Sequence, residues 1–427
     1  MVIIESSDDL KLFNTENKKQ DSFVVPILSD VNKHPVDNEL SLIYVQMVDG
    51  KEFIIPYNHS ESLNNQKVSL VSNTTKYTHD KKLLSQLESV GKCIDVNLLH
   101  YMRTNKPINI ENIETNAHNF FNMMHHKKKN INRVIPILKH LEYCRKLCRL
   151  LESEVELIND SDNMTYNNEV LVNLSYIEEN GLQTTEGMVY SEYNIYTSTG
   201  RPSNRFGGMN FAALNKKDGS REKFISRYKS GVLVEMDYDG YHLRLIADRI
   251  GYEFSQGSVH KHMAGLYGVD YDEAKSLSFQ YLYGYIPDEI RSNNEYFNKV
   301  HTYIQGLWSQ YKSKEFIVSD IYSKKIYKKN LVDMNANKLF NYTIQLMETE
   351  SNMKVLSELI PKIDNDDYKS KLVLYNYDAF VFDFNMEDGL DYLMKVKGIL
   401  EQKGKFPVKV SWGLNYHEMT DITEKFV

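Results

Sequence analysis

The chain reads as α+β, and three observations lead there. Residues 1 to about 60 are strand-like, with β-branched and apolar runs separated by turn residues. From Asp80 to about Ile158 apolar residues recur at helical spacing. Beyond Met188 strand-like runs alternate with helical ones, and two of those runs end in an aspartate, Asp237 and Asp378.

In order along the chain, Phe23 to Leu28 is an apolar strand candidate. Leu40 to Val48, the Asp49-Gly50 turn and Glu52 to Pro56 together form a hairpin signature. The polar stretch from Ser60 to Tyr77 reads as loop. Leu83, Leu84, Leu87 and Val90 make one helical stripe; Val134, Leu138, Leu141, Leu147, Leu150 and Leu151 make another. Asn159 to Asn168 is a linker by composition. Strands are expected near Met188 to Thr197 and Gly231 to Asp237.

A length of 427 residues favours two to four domains, and 41% apolar residues suffice for a sizeable core. No apolar run reaches the roughly eighteen residues of a membrane span, and no membrane partner is expected. Met1 to Asp9 lacks the basic and apolar regions of a signal peptide, so an intracellular, cytoplasmic location is the expectation. Cys93, Cys144 and Cys148 fit reduced packing residues better than a metal site. The net charge of −7 argues mildly against a nucleic-acid partner. Basic residues are nevertheless clustered, at Lys127 to Arg133, Lys139 to Arg149, Arg201 and Arg205, Lys216 and Lys217, and Lys324 to Lys329. One such cluster is usually a solvated face; several beside the same polar motifs fit a groove that tracks phosphates.

Two motifs bear on chemistry. A single aspartate at a strand end commonly forms a turn or caps a helix. Asp237 and Asp378 together can hold paired divalent ions, with the carbonyl of Tyr238 as a further hard oxygen ligand. In-line phosphoryl transfer needs that charge and position. Lys275, Phe279 and Tyr283 recur every four residues and share one helix face, which Gly284 and Pro287 terminate. A Phe/Tyr pair at that spacing is often core. With a lysine leading the same face it can also hold a nucleoside triphosphate, the ammonium on phosphate and the rings on base and sugar.

These residues resemble the family A DNA polymerases, the group that includes bacterial DNA polymerase I and its phage relatives. The family's Lys, Phe and Tyr-Gly, each four apart, match Lys275, Phe279, Tyr283 and Gly284. Its Asp-Tyr-Ser-Gln-Ile-Glu-Leu-Arg junction corresponds to Asp237 through Arg244. Its Thr-x-Thr-Gly-Arg is Thr197-Ser-Thr199-Gly200-Arg201, followed by Asn210, and its Phe-Asn-x-x-Val-Gln is Phe340 to Gln345. The closing Gly-x-Asn-Trp reads Gly413-Leu-Asn415-Tyr416.

Departures from the family are specific. His-Asp-Glu at the second aspartate reads Tyr377-Asp378-Ala379, so the accompanying glutamate is lost or displaced. Tyr271 stands where the family has an arginine, leaving the γ-phosphate short of a cation. His242 replaces the glutamate that blocks a ribose 2′-hydroxyl, and His260 reads equally as a phosphate ligand or a surface histidine.

The resemblance implies a right-handed polymerase: an antiparallel palm sheet from 186–250 and 346–427, helical fingers from 251–345, and a short helical thumb and linker from 107–185. Residues 1–106 are then a truncated exonuclease-like domain. It is expected to be inactive, because no carboxylate appears in Phe23 to Leu28 and Asp30 is the first. The implied activity is template-directed DNA synthesis from dNTPs on primer-template DNA, without proofreading and with two magnesium ions that manganese can replace. Asp237, Tyr238 and Asp378 would hold the metals, with Asp237, Asp378 and Lys275 catalytic. Lys275, Phe279, Tyr283, His242 and His260 would face the nucleotide; Thr199, Arg201, Asn210, Asn341, Gln345 and Tyr377 would face DNA. Two alternatives stay open, a single-subunit RNA polymerase and a DNA-binding scaffold without catalysis.

Overall fold

The computed structural model describes the chain except residues 63–66, 111–112, 114–130, 158–163, 208, 255–256, 365–367 and 427. Lys127, Lys128 and Lys129, the basic run assigned to a thumb, lie outside the described residues. The chain forms two units, Met1–Ser175 and Tyr176–Val427.

The first unit is built on strands β1 (Val2–Ile3), β2 (Ser22–Leu28), β3 (Leu40–Met47), β4 (Glu52–Pro56), β5 (Lys76–Thr78) and β6 (Cys93–Asp95), in the order β1-β4-β3-β2-β5-β6. The expected Asp-Gly hairpin joins β3 to β4, with Gly50 at φ 87° where a side chain would be strained. Strand alternation sends Phe23, Val25 and Ile27 to one face and Val24, Ile43 and Val45 to the other. Both faces are covered by core.

Several expectations fail in this unit, among them the linker reading of Asn159 to Asn168, since a helix begins at Met164. The segment read as all β contains α1 (Ser7–Lys19), nucleated by a capping box between Ser6 and Asp9. It buries only Phe13, Glu16 and Asn17, so it shows no apolar stripe. The supposed loop and helix around residues 60–95 include β5 and β6, three-residue strands too short to display a period. Among the described residues the remaining α-helices are α2 (Lys81–Leu87), α3 (Val96–Thr104) and α4 (Ile137–Val155), so the helical signal from Asp80 to about Ile158 is broken by strand and loop. Of the second stripe, Leu141, Leu147 and Leu151 are buried with Cys144 and Cys148, whereas Val134 and Leu138 are exposed because α4 begins only at Ile137. The buried thiols of Cys144 and Cys148 are pushed up by burial, as unreactive packing groups are.

Helix α5 (Met164–Asn180) continues into the second unit. Small strands follow: β7 (Leu182–Thr184) with β8 (Gly187–Val189), and β9 (Tyr193–Asn194), β10 (Ser203–Phe206) and β11 (Met209–Asn210). The main sheet is antiparallel, in the order β15 (Lys371–Asn376), β16 (Ala379–Asn385), β12 (Gly231–Tyr238), β17 (Val408–Gly413), β18 (Thr420–Asp421). Central β12 buries Val234 and Met236 on one face and Leu233 with Glu235 on the other.

After β12 the chain turns through Gly240, at φ 59°, into α6 (Tyr241–Ile250). A Cβ at Gly240 would sit 3.1 Å from Val259, so the close approach and the dihedral both favour glycine. A helical layer follows: α7 (Val259–Tyr267), α8 (Tyr271–Tyr283), α9 (Asp288–Asn293) and α10 (Glu295–Ser313). A hairpin of β13 (Phe316–Val318) and β14 (Lys325–Tyr327) leads to α11 (Ala336–Asp364), and α12 (Gly389–Leu400) lies between β16 and β17. Leu243, Ile246, Met263, Phe297, Val300, Phe340 and Ile344 form the core of the helical layer. Among the described residues no helix is long and apolar enough to cross a membrane.

Candidate active site

The site forms at one end of the main sheet. Asp237 lies near the end of β12, opposite Ala379 of β16 on one side and Lys409 of β17 on the other. Asp378 sits in the two-residue turn between β15 and β16, and its carbonyl accepts the amide of Tyr238 at 3.0 Å. Tyr377 precedes it at φ 64°, a left-handed conformation a tyrosine adopts only when its surroundings hold it there. Asn352 of α11, fully buried, does that holding. Its Nδ2 donates to the Tyr377 carbonyl at 2.7 Å and to the Tyr375 hydroxyl at 3.0 Å, while its Oδ1 accepts from Tyr241 at 2.9 Å. One side chain thus fixes the Asp378 turn relative to the start of α6.

The carboxyl of Asp237 is pushed up to about 7, chiefly by burial and then by the charge of Asp378 and of Glu235. Asp378 opens onto the cavity yet is enclosed by protein, and enclosure together with Glu348 raises it too. Two enclosed carboxyls, both raised in proton affinity, are a site that divalent charge would relieve. Among the described residues no three His, Cys, Asp or Glu side chains converge as a cage. Two carboxylates fit magnesium, which keeps water and takes substrate phosphates rather than an all-protein shell.

A cavity of about 220 Å³ lies over these groups and is lined by Arg201, Asp237, Tyr238, His242, His260, Lys275, Phe279, Tyr283 and Asp378. All nine were singled out in the sequence. The rings of Phe279 and Tyr283 are parallel, with centroids 5.8 Å apart and an interplanar angle of 5°, as four-residue spacing dictates. His260 is buried on α7, its ring 5.5 Å from that of Phe279. Burial lowers it to about 4, so it is neutral at pH 7, with Nδ1 lacking a hydrogen-bond partner among the described residues. His242 Nδ1 is hydrogen-bonded to the Tyr283 hydroxyl, bridging α6 and α8.

Five other predicted residues lie outside the cavity lining. Thr199 is buried in the turn that presents Arg201, where Gly200 at φ 77° allows the chain to reverse. Tyr377 lies beneath Arg201, whose guanidinium carbon is 3.5 Å from the ring centroid. Asn341 donates to the carbonyl of Tyr283 at 3.1 Å and so holds the end of α8. Gln345 lies one turn further along α11, and Asn210 is exposed on β11.

Two lining residues had escaped the sequence reading, Glu348 and Lys409. Glu348 is 1% exposed and pairs with Arg201, Oε2 to Nε 2.7 Å, and with His242, Oε1 to Nε2 3.2 Å. The signal for it is weak: Asn341, Gln345, Glu348 and Asn352 recur at i, i+4, i+7 and i+11, but other faces of the same helix are polar too, with Thr349, Glu350, Lys354 and Glu358. Glu348 puts a carboxylate beside His242, from a different helix than the one expected to bear it. Lys409 had no such signal, because only sheet register sets it opposite Asp237.

No family model matches the chain, and no curated protein matches its sequence. Among solved structures it is similar to the POL domain of Pol1 from M. smegmatis in complex with DNA primer-template and dNTP. The TM-score is 0.69 at 13% identity, over 98% of this chain and 100% of that one. The fold is therefore that of a Pol1-type polymerase domain, the family A architecture that the motifs between Thr197 and Tyr416 resemble.

Proposed function

We propose that the protein is a DNA-directed DNA polymerase that adds dNTPs to a primer 3′-hydroxyl and releases pyrophosphate. The observation that carries this reading is the meeting of Asp237, Asp378, Lys275, Phe279 and Tyr283 around one cavity, from three separate elements. Asp237, Asp378 and the Tyr238 carbonyl would hold magnesium or manganese, which when bound supplies the positive charge phosphoryl transfer requires. Lys275 binds the triphosphate and protonates the departing pyrophosphate. Phe279 packs on the incoming nucleotide and Tyr283 guards the templating position. Arg201, Asn210, Asn341, Gln345 and Tyr377 position primer and template, with Thr199 supporting Arg201. His260, neutral and with an open nitrogen, offers one hydrogen bond to the phosphates.

The contact of His242 with Tyr283 favours DNA over RNA synthesis, because it holds an imidazole where a ribose 2′-hydroxyl would need room. In domain terms residues 186–250 and 346–427 serve as palm and 251–345 as fingers, with a thumb and linker in 107–185. Residues 1–106 are a truncated exonuclease-like remnant. Extension of a labelled primer with magnesium and dNTPs, then with rNTPs, tests the reading. Wild type extends with dNTPs, and Asp237→Asn or Asp378→Asn each lowers kcat by roughly 10²-fold or more. Near-wild-type turnover in either variant removes that residue from the chemistry; no extension by wild type returns the chain to a binding role.

A further inference from the structure

The cavity contains an ammonium group from the sheet as well as one from the helix. Lys409 projects from β17 beside Asp237 and lines the same cavity as Lys275 and His260. Its Nζ is 2.7 Å from Asp239 Oδ1 and donates to the Tyr271 hydroxyl at 3.2 Å, and Tyr271 lies one helical turn before Lys275 on α8. We propose that Lys409 is a second ligand for the phosphate chain of the bound nucleotide, acting from the sheet while Lys275 acts from the helix. The inference rests on the polymerase reading and adds to it a residue that none of the sequence motifs contains.

Three observations favour a ligand role over a purely structural one. First, Asp239 does not depend on Lys409: it also accepts the Val259 amide at 2.9 Å and Ser258 Oγ at 3.2 Å, and pairs with Arg244 at 3.3 Å. Second, the Lys409 side chain is 38% exposed and lines the cavity, although its partner Asp239 is 3% exposed. Third, an ammonium has three donors, and Asp239 and Tyr271 occupy two, leaving one for a ligand. Asp239 and Tyr271 fix the stem, so little side-chain freedom is lost when an anion arrives. A triphosphate carries several negative charges, and opposed cations neutralise it better than one.

The test uses the whole chain and inorganic tripolyphosphate with magnesium, titrated by calorimetry, so that it does not depend on turnover. Wild type binds; Lys409→Gln weakens binding roughly tenfold, the loss of one charge-assisted hydrogen bond. Lys409→Arg retains most of it, and adding Tyr271→Arg to Lys409→Gln restores it by placing a cation one turn before Lys275. In primer extension the same variants change KM for dNTP more than kcat. If Lys409→Gln unfolds, Asp239→Asn with Lys409→Met removes both charges together and must show the same weakening. Binding equal to wild type in a variant that melts normally overturns the proposal, as does wild-type protein that binds no tripolyphosphate. If tripolyphosphate binds through Lys409 but no primer is extended, the polymerase reading fails and the phosphate site stands.

Discussion

The hydroxyl of Tyr283 and Nδ1 of His242 share a hydrogen bond, tying the last residue of α8 to the first turn of α6. The other ring nitrogen, Nε2, lies 3.2 Å from Glu348 Oε1. The ring therefore lies between Tyr283 and the Glu348 carboxylate, and turning it away from the cavity would break the Tyr283 contact.

His242→Ala should lower the ratio of kcat/KM for a dNTP to that for the matching rNTP by roughly tenfold or more, the scale of one well-placed steric or polar discrimination. Glu348→Gln should produce a smaller fall, since the ring loses one anchor and keeps the other. An unchanged ratio in His242→Ala would show that the imidazole does not face the sugar.

Asn352→Ala should uncouple the Asp378 turn from α6. It strands the Tyr241 and Tyr375 hydroxyls and the Tyr377 carbonyl in the interior, at a cost of roughly 2–3 kcal/mol. The kinetic signature is a fall in kcat larger than the rise in KM for dNTP, because Asp378 shifts while the triphosphate ligands stay. Equal changes in both parameters would place the effect elsewhere.

Lys324 gives a pH dependence of stability. It is 1% exposed, close to Glu350 of α11, and burial lowers it to about 7 despite that carboxylate. Between about pH 7 and the ordinary lysine range the unfolded chain binds a proton that the folded one does not. Stability therefore rises with pH across that window, and is least, for this group, below pH 7. Lys324→Met should raise Tm at pH 7 and flatten its rise toward pH 9, by about 2–4 °C for each kcal/mol in a unit of this size. A Tm–pH slope identical to that of wild type would contradict the shift.

Purified protein should not shorten a labelled, mismatched primer in the absence of dNTPs. Strand β2 bears no carboxylate, and Asp30, just beyond it, is buried and accepts the amide of Asn32 at 3.0 Å as a turn former. Metal-dependent shortening that persists in Asp237→Asn would reveal a nuclease site in the chain.

Sequence alone determined the parts whose chemistry is local. Lys275, Phe279 and Tyr283 share a face because helical spacing puts them there, and Gly284 ends that helix whatever surrounds it. The Asp49-Gly50 hairpin, β12 with Asp237 at its end, and the β15–β16 pair with Asp378 between are likewise properties of short stretches. Only the tertiary structure decided which distant residues complete the site. Lys409 reaches Asp237 through strand register, and a slip by one residue would have turned it to the other face. Glu348 and Asn352 are polar residues buried in α11, a helix enclosed on so many sides that its amphipathic pattern is nearly erased. Other causes hid α1, β5 and β6: α1 buries few residues and starts from a local capping box, and β5 and β6 are too short to show a period. Periodicity reports one face meeting one core. A residue that joins three elements leaves no period, and its role appears only once those elements have packed.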